Sequence, residues 1–365
     1  MSMPTKLPAA LAGCFLLLLP APQIQAEDLP LKYQLVANRG LDYLAKQQHR
    51  DGHWESNGGQ FFSAMTGMAG TCLLMEGSTI REGKFAGNIR KAVDWIMSRC
   101  QRNGLIGEPN AGNQGLGYMY GHGFCMLFLS QVYGEEEDLD RRKKLEQILT
   151  RAAQFSARAQ TSRGGWGYLS AADGNDFDEG SVSVTQVQAL RAVRNSGIPV
   201  PKGVIDKTHE YLRKCTTKNG GLIYSLQSGG GAERPSITVA AIASMFNTGE
   251  YDSPLAKQWL KFCQPIIPVD SVGRDQFGHS EYSHYYYAQV IYMLGEDGYA
   301  RIFPDSKPEN RLTWSKYRNV FFEYLATHQN ADGSWTNTAI GPVYTTSCYL
   351  TILQLDNGTL PIYQR

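Results

Sequence analysis

Charge is sparse in this chain. Asp, Glu, Lys and Arg make up only 19% of its 365 residues, and 35 basic against 34 acidic side chains leave a net charge of +1. Such a surface offers no electrostatic footprint for nucleic acid or for an anionic membrane, so no nucleic-acid partner is expected. Long apolar runs are also missing. Beyond the first residues no segment reaches the roughly 18 uninterrupted apolar residues of a membrane-crossing helix, so the mature chain is expected to carry no transmembrane helix. Gly229-Gly230-Gly231 before Glu233-Arg234-Pro235 lacks the Lys-Ser/Thr and the preceding strand of a phosphate loop, and reads as a flexible connection.

Residues 1–26 have the form of an export signal: Lys6, the apolar run Leu11 to Leu19, Pro20, and Ile-Gln-Ala ending at Ala26. A rival reading is a lipoprotein box at Leu11-Ala12-Gly13-Cys14, although most of the apolar run follows Cys14. Either way the protein is expected to be exported, to the periplasm or beyond the cell. Cys72, Cys100, Cys125, Cys215, Cys263 and Cys348 remain, and an even count outside the cytoplasm invites disulfides. They recur at equivalent helix positions, however, so buried free thiols are expected.

What the chain has in abundance is internal repetition. Arg39 to Trp54 (RGLDYLAKQQHRDGHW) and Tyr324 to Trp335 (YLATHQNADGSW) share one grammar: an aromatic-Leu pair, Gln, a Gly turn, then Trp. Five steps of about 56 residues separate Asp51 from Asp332, a period typical of helical repeats. First helices are amphipathic, as in Leu145, Ile148, Leu149, Ala152 and Phe155. Second helices, such as Ile237 to Phe246, are apolar nearly all round and must be enclosed. Turns at Asp51–Trp54, Asn103–Ile106, Gly164–Tyr168, Asn219–Tyr224, Pro265–Gly278 and Asp332–Trp335 give six helical hairpins, with Trp54 expected to open the first apolar helix. Outer amphipathic helices around enclosed inner ones favour closure into an all-α (α/α)6 toroid, one domain over residues 27–365.

At these residues the chain resembles a family. Arg39, Gly40, Tyr43, Leu44, Gln48, Gly52 and Trp54 match the QW repeat of squalene and oxidosqualene cyclases, shared more loosely with protein prenyltransferase β subunits. Arg151, Ala152, Phe155, Gln160, Gly164 and Trp166 match with Ser156 at the aliphatic position, and Cys100 and Thr216 replace Gln in degenerate copies. The resemblance implies the toroid and, in its centre, an isoprenoid or similar apolar ligand.

Three constellations could carry chemistry. Asp176, Asp178 and Glu179, in the run DFDE after GGWGY, are similar to the DxDD acid of squalene-protonating cyclases, where packed carboxyls raise one another's pKa. The last position is Glu, and a gapless alignment of the inner helices puts Ser181 and Val182 where the second and third Asp belong. Such a run also serves as an ordinary helix N-cap. His284 sits in a segment similar to the zinc-ligand segment of prenyltransferases. No cysteine here has Asp two residues before it, so no metal site and no cofactor are expected. The Gly-Cys-Gly-Glu-Gln run of thioester toroids is absent too. Finally, Tyr118, His122, Tyr282, His284, Tyr285 and Tyr344 are candidate ligand-binding residues. They belong to a wider set, with Tyr120, Phe124, Tyr287 and Tyr292, that either lines a cavity or fills the toroid centre. The readings left open are an isoprenoid-binding, cyclase-like protein, a non-catalytic scaffold toroid with its partner unknown, and a polysaccharide-active enzyme. The last needs paired carboxylates or Arg with Tyr or His across a groove, and would be favoured by Asp178 or Glu281 lying near Arg234 and His284.

Overall fold

The computed structural model describes residues 29–108, 117–269, 272, 278–336 and 339–364. The expected export signal, with Cys14, and part of the fifth turn lie outside them. The described residues contain the helices α1 (Leu31–Gln47), α2 (Phe62–Met75), α3 (Ala86–Ser98), α4 (Met119–Tyr133), α5 (Leu139–Ala159), α6 (Gly180–Asn195), α7 (Lys202–Cys215), α8 (Pro235–Asn247), α9 (Pro254–Cys263), α10 (Ser280–Leu294), α11 (Gly298–Ile302), α12 (Trp314–Thr327) and α13 (Pro342–Leu353). Except for the short α11, they pair into six hairpins.

The inner helices close on themselves. α2 packs on α4, α4 on α6, α6 on α8, α8 on α10, α10 on α13, and α13 returns to α2. Their burial follows from position: α2 buries every residue from Ser63 to Met75, whereas α1 buries only Val36, Ala37, Gly40, Leu41, Tyr43 and Leu44. The protein is an (α/α)6 toroid. No described helix is long and apolar enough to cross a membrane.

The repeated Gln, Gly and Trp hold this ring together. Trp54, Trp166 and Trp335 are fully buried, and their indole N–H groups donate to the carbonyls of Leu44 (2.7 Å), Ser156 (2.7 Å) and Leu325 (2.9 Å) of their own outer helices. Gln48, Gln160 and Gln329 each donate to the carbonyl of their own turn glycine. The same amides reach the next outer helix at the carbonyls of Asn88 (2.9 Å), Val204 (2.9 Å) and Val36 (2.9 Å). The last bond joins the sixth repeat to the first. The turn glycines have φ near +100° and press on the neighbouring outer helix; a Cβ on Gly333 would lie 2.3 Å from the Arg39 carbonyl oxygen. No other residue fits there.

One expected boundary moves. α2 starts at Phe62 and not at Trp54, because Gly58 and Gly59 adopt φ of +74° and +66° and a Ser56–Gln60 bridge closes a loop before the helix. All six described cysteines are free thiols, five of them buried, and burial pushes Cys72 up to about 12.

Candidate functional site

The N-termini of the inner helices converge on one end of the ring and leave a cavity of about 730 Å³. Aromatic rings form much of its wall: Tyr120, Phe124, Tyr168, Tyr224, Tyr282 and Tyr286. Met65, Met68, Ile237 and Ile340 fill the gaps between them. Among the described residues only Phe61 (φ +55°) and His279 (φ +62°) are non-glycines in the left-handed region, and both lie immediately before an inner helix and border this cavity. Strained backbone of this kind collects at ligand sites, because surrounding packing must hold it there.

Glu179 brings a carboxyl group into this apolar space. It is fully buried at the N-cap of α6, where its carboxylate accepts from the amides of Ser181 (3.0 Å) and Val182 (2.8 Å) and from the Ser181 hydroxyl (2.7 Å). Burial raises its pKa against these hydrogen bonds. Tyr120 joins the group by bonding to the Ser181 hydroxyl, and Tyr168 bonds Tyr224 across the wall. Tyr282 and Tyr286 pack edge to face in the same wall, with ring centres 4.9 Å apart. Glu233, Arg234, Ser236 and His279 add to the polar part of the lining, with the Arg234 guanidinium 6.0 Å from the Tyr224 ring centre.

The acidic run separates into three tasks. Asp176 is on the surface and accepts from the Ser162 amide (2.7 Å), the Ser162 hydroxyl (2.6 Å) and Arg163 (3.0 Å), bonds that hold its pKa down. Asp178 is buried away from the cavity and accepts from the amides of Leu226 (2.7 Å) and Gln227 (3.1 Å), pinning the next turn. Only Glu179 borders the cavity.

The aromatic and histidine candidates also divide. Tyr282, Tyr285 and Tyr344 line the cavity, while Tyr118, His122 and His284 do not. Tyr118 accepts from the Ser170 amide (2.9 Å) and bonds Asp173. His122 is a structural cap: its Nδ1 accepts from the Ile106 amide (3.0 Å) and its Nε2 meets the Ser156 hydroxyl (3.0 Å). Burial lowers its pKa to about 4. Thr66, Ser183, Thr238 and Thr346 do the same for the amides of Trp54, Trp166, Leu222 and Trp335. The position therefore selects a hydrogen-bond acceptor on the inner helix, which explains a histidine there without a ligand. His284 bonds the Tyr317 hydroxyl through Nδ1 (3.0 Å) and packs 4.7 Å from the Phe321 ring. Tyr287 and Tyr292 are core residues outside the cavity.

No protein-family model matches the chain, and no curated protein matches its sequence. Solved structures do match. A variant of type II terpene cyclase MstE from Scytonema in complex with merosterolic acid A, its product, aligns over 91% of this chain and 98% of its own, at 14% identity and a TM-score of 0.60. The same enzyme with geranylgeranyl dihydroxybenzoate, its substrate, gives 13% identity and a TM-score of 0.56 over 90% of this chain and 98% of its own. This is the toroid fold of the terpenoid cyclases. It is equally that of a glycan enzyme: an inactive variant of the α-1,6-mannanase GH76A of Salegentibacter sp., bound to α-1,6-mannotriose, aligns at 8% identity and a TM-score of 0.60, covering 90% of this chain and 99% of that one.

Sequence reasoning passed over several wall residues of this toroid. Tyr168 and Tyr224 stand two residues after Trp166 and Leu222, the same register in successive turns, and that recurrence was the available signal. Glu233, read as part of a plain connection, also lines the cavity, beside Arg234, which the sequence marks only for a glycan-active site. Nothing in their local pattern distinguishes them from a solvated loop.

Proposed function

We propose that the protein is an exported, cyclase-like toroid that binds an isoprenoid or similar apolar ligand in the cavity at the inner-helix N-termini. The observation that carries this reading is the pairing of aromatic and aliphatic walls with one buried carboxyl, Glu179, whose pKa burial raises. About 730 Å³ lies within the roughly 300–1,000 Å³ typical of small-molecule pockets. A scaffold whose centre is plugged by side chains would leave no such space. Tyrosine faces suit a chain of alkenes and any cationic centre developing along it. Glu179 in its neutral form is the wall's candidate proton donor to an alkene carbon, the role that resemblance to the DxDD acid suggests. Asp176 and Asp178 then act as positioning residues, through the turn and the neighbouring loop. Export, and the alternative of lipidation at Cys14, remain part of this proposal on the form of residues 1–26.

Fluorescence titration with geranylgeraniol tests the binding step, and product analysis by gas chromatography tests the chemistry. Micromolar binding that weakens at least tenfold in Tyr282→Ala supports the site. Turnover that disappears in Glu179→Gln while binding persists supports the acid. Equal binding by wild type and Tyr282→Ala would contradict the placement.

A second reading has its own observation. Glu179 and Glu233 border one cavity, and hydrolysis of a glycosidic bond uses two carboxyl groups. Release of reducing ends from an α-1,6-mannan, abolished by Glu233→Gln, would favour this reading over the isoprenoid one.

A further inference from the structure

The first turn holds a cluster that the cavity does not use. We propose that His49, His53 and Glu55 form a binding site for a divalent transition metal, with Zn2+ the ion that fits the donor set. The ligand atoms of the three residues lie within 4.8 Å of one another. His49 Nε2 is 3.6 Å from one Glu55 carboxylate oxygen, and His53 Nε2 is 3.9 Å from the other. Tetrahedral zinc with bonds of about 2.0–2.2 Å places its ligands about 3.3–3.6 Å apart. The His49 ring is stacked 4.3 Å from that of His53 at 20°, and a shared ion must lie in the plane of both rings. Binding therefore swings His49, whose side chain is 45% exposed, out of the stack and turns Glu55, 34% exposed, towards it.

Three features hold the site ready. Asp51 accepts from His53 Nδ1 at 2.6 Å, which turns the Nε2 edge of the ring towards Glu55. This carboxylate behind a histidine is the usual support of a metal-bound imidazole. The His53 ring is stacked 5.3 Å from Trp95 and meets the edge of Phe62 at 5.1 Å, so its orientation is fixed by packing. The backbone between the histidines is locked as well: the His49 amide donates to the His53 carbonyl (2.9 Å), the Gly52 amide to the His49 carbonyl (2.9 Å), and Gln48 clamps the Gly52 carbonyl (2.8 Å). Two imidazoles and one carboxylate leave a fourth position to water. Glu55 also opens the loop that bonds Ile340 through the Asn57 amide (2.9 Å) and ends in Phe61. Ile340 and Phe61 both border the cavity, so the ion rivets one side of its mouth.

Titration calorimetry with ZnCl2 on tag-free, chelator-treated protein tests the site, and visible absorption of the Co2+ form reports its coordination. One ion per chain is expected, with tetrahedral cobalt bands. His49→Gln, which removes an exposed ligand, should weaken binding at least tenfold. Asp51→Asn should weaken it roughly 10–100-fold, as loss of a supporting carboxylate does. His328→Gln, at an exposed histidine elsewhere, should change nothing. Circular dichroism establishes that each variant is folded. Zinc bound equally well by wild type, His49→Gln and Glu55→Gln overturns the proposal, and so does a wild type that binds none.

Discussion

In repeats one, three and six the side chain tying one hairpin to the next is a glutamine on the earlier hairpin; in repeats two and four the donor comes from the later one. Cys100 stands where Gln would be in repeat two, and Arg158 of α5 reaches back to the Asn103 carbonyl (2.7 Å). In repeat four Trp259 of α9 donates its indole N–H to the Thr216 hydroxyl (3.0 Å), and Gln258 reaches the Thr217 carbonyl (3.4 Å). The inner-helix cap survives in both, through His122 and Thr238, as does the positive-φ glycine, Gly104 and Gly220. What a closed ring demands is that the exposed carbonyls of each turn be met and that the turn backbone approach the next helix. Which residue supplies the hydrogen is free to change.

Substitutions can break this comparison at graded strength. Trp335→Ala removes a fully buried indole and its bond to Leu325, and should cost about 3–5 kcal/mol in urea unfolding. Gly333→Ala forces a Cβ against the Arg39 carbonyl in a left-handed backbone, and should cost about 3–4 kcal/mol. Gly174→Ala, at φ +87° with nothing within 4 Å, should cost about 1 kcal/mol. Near-equal losses at the two glycines would remove close approach as the reason for glycine in the turns.

Repeat two differs from repeats one, three, four and six in having a titratable cap. The His122 pKa is lowered from 6.5 to about 4, so its stabilising contribution is present above pH 6.5 and disappears as pH falls towards 4. The full contribution is about 3 kcal/mol. Glu179 has the opposite sign: burial raises its pKa, so it favours the fold below its unfolded value near 4.5 and loses that contribution as pH rises. His122→Gln should therefore flatten the loss of stability between pH 6.5 and 4 and leave the Glu179 contribution in place, as read from unfolding curves across pH. Hydrogen exchange on acidification should open repeat two before repeats one and three.

The smallest effect concerns the tie itself. Gln329→Ala loses bonds to two carbonyls and should cost about 1–2 kcal/mol, whereas Cys100→Ala should cost less than about 1 kcal/mol. Equal costs would mean that the glutamines contribute no more than the cysteine in their place.

The ring was legible from the sequence because its signal is periodic. The Gln-Gly-Trp spacing marked the turns, and the all-round apolar segments marked the inner helices. The start of α2 was not legible, since two glycines in Ser56–Gln60 build a loop that the apolar pattern does not reveal. The acidic run shows why site residues are harder. Asp176, Asp178 and Glu179 adjoin one another in the chain, but in extended backbone consecutive side chains face opposite ways. Asp176 and Asp178 therefore share Arg163, at 3.0 and 3.8 Å, while Glu179 turns to the cavity. Aromatic residues on the inner helices gave the right elements but not the facing: Tyr282 and Tyr285 border the cavity, and His284 between them points to Tyr317.

Native mass spectrometry with lipid extraction, on protein purified from its own cell envelope, tests the cavity reading most directly. The expected result is one isoprenoid or related apolar molecule per chain, lost in Tyr282→Ala. Protein that emerges without lipid and takes up none from an isoprenoid mixture would contradict it.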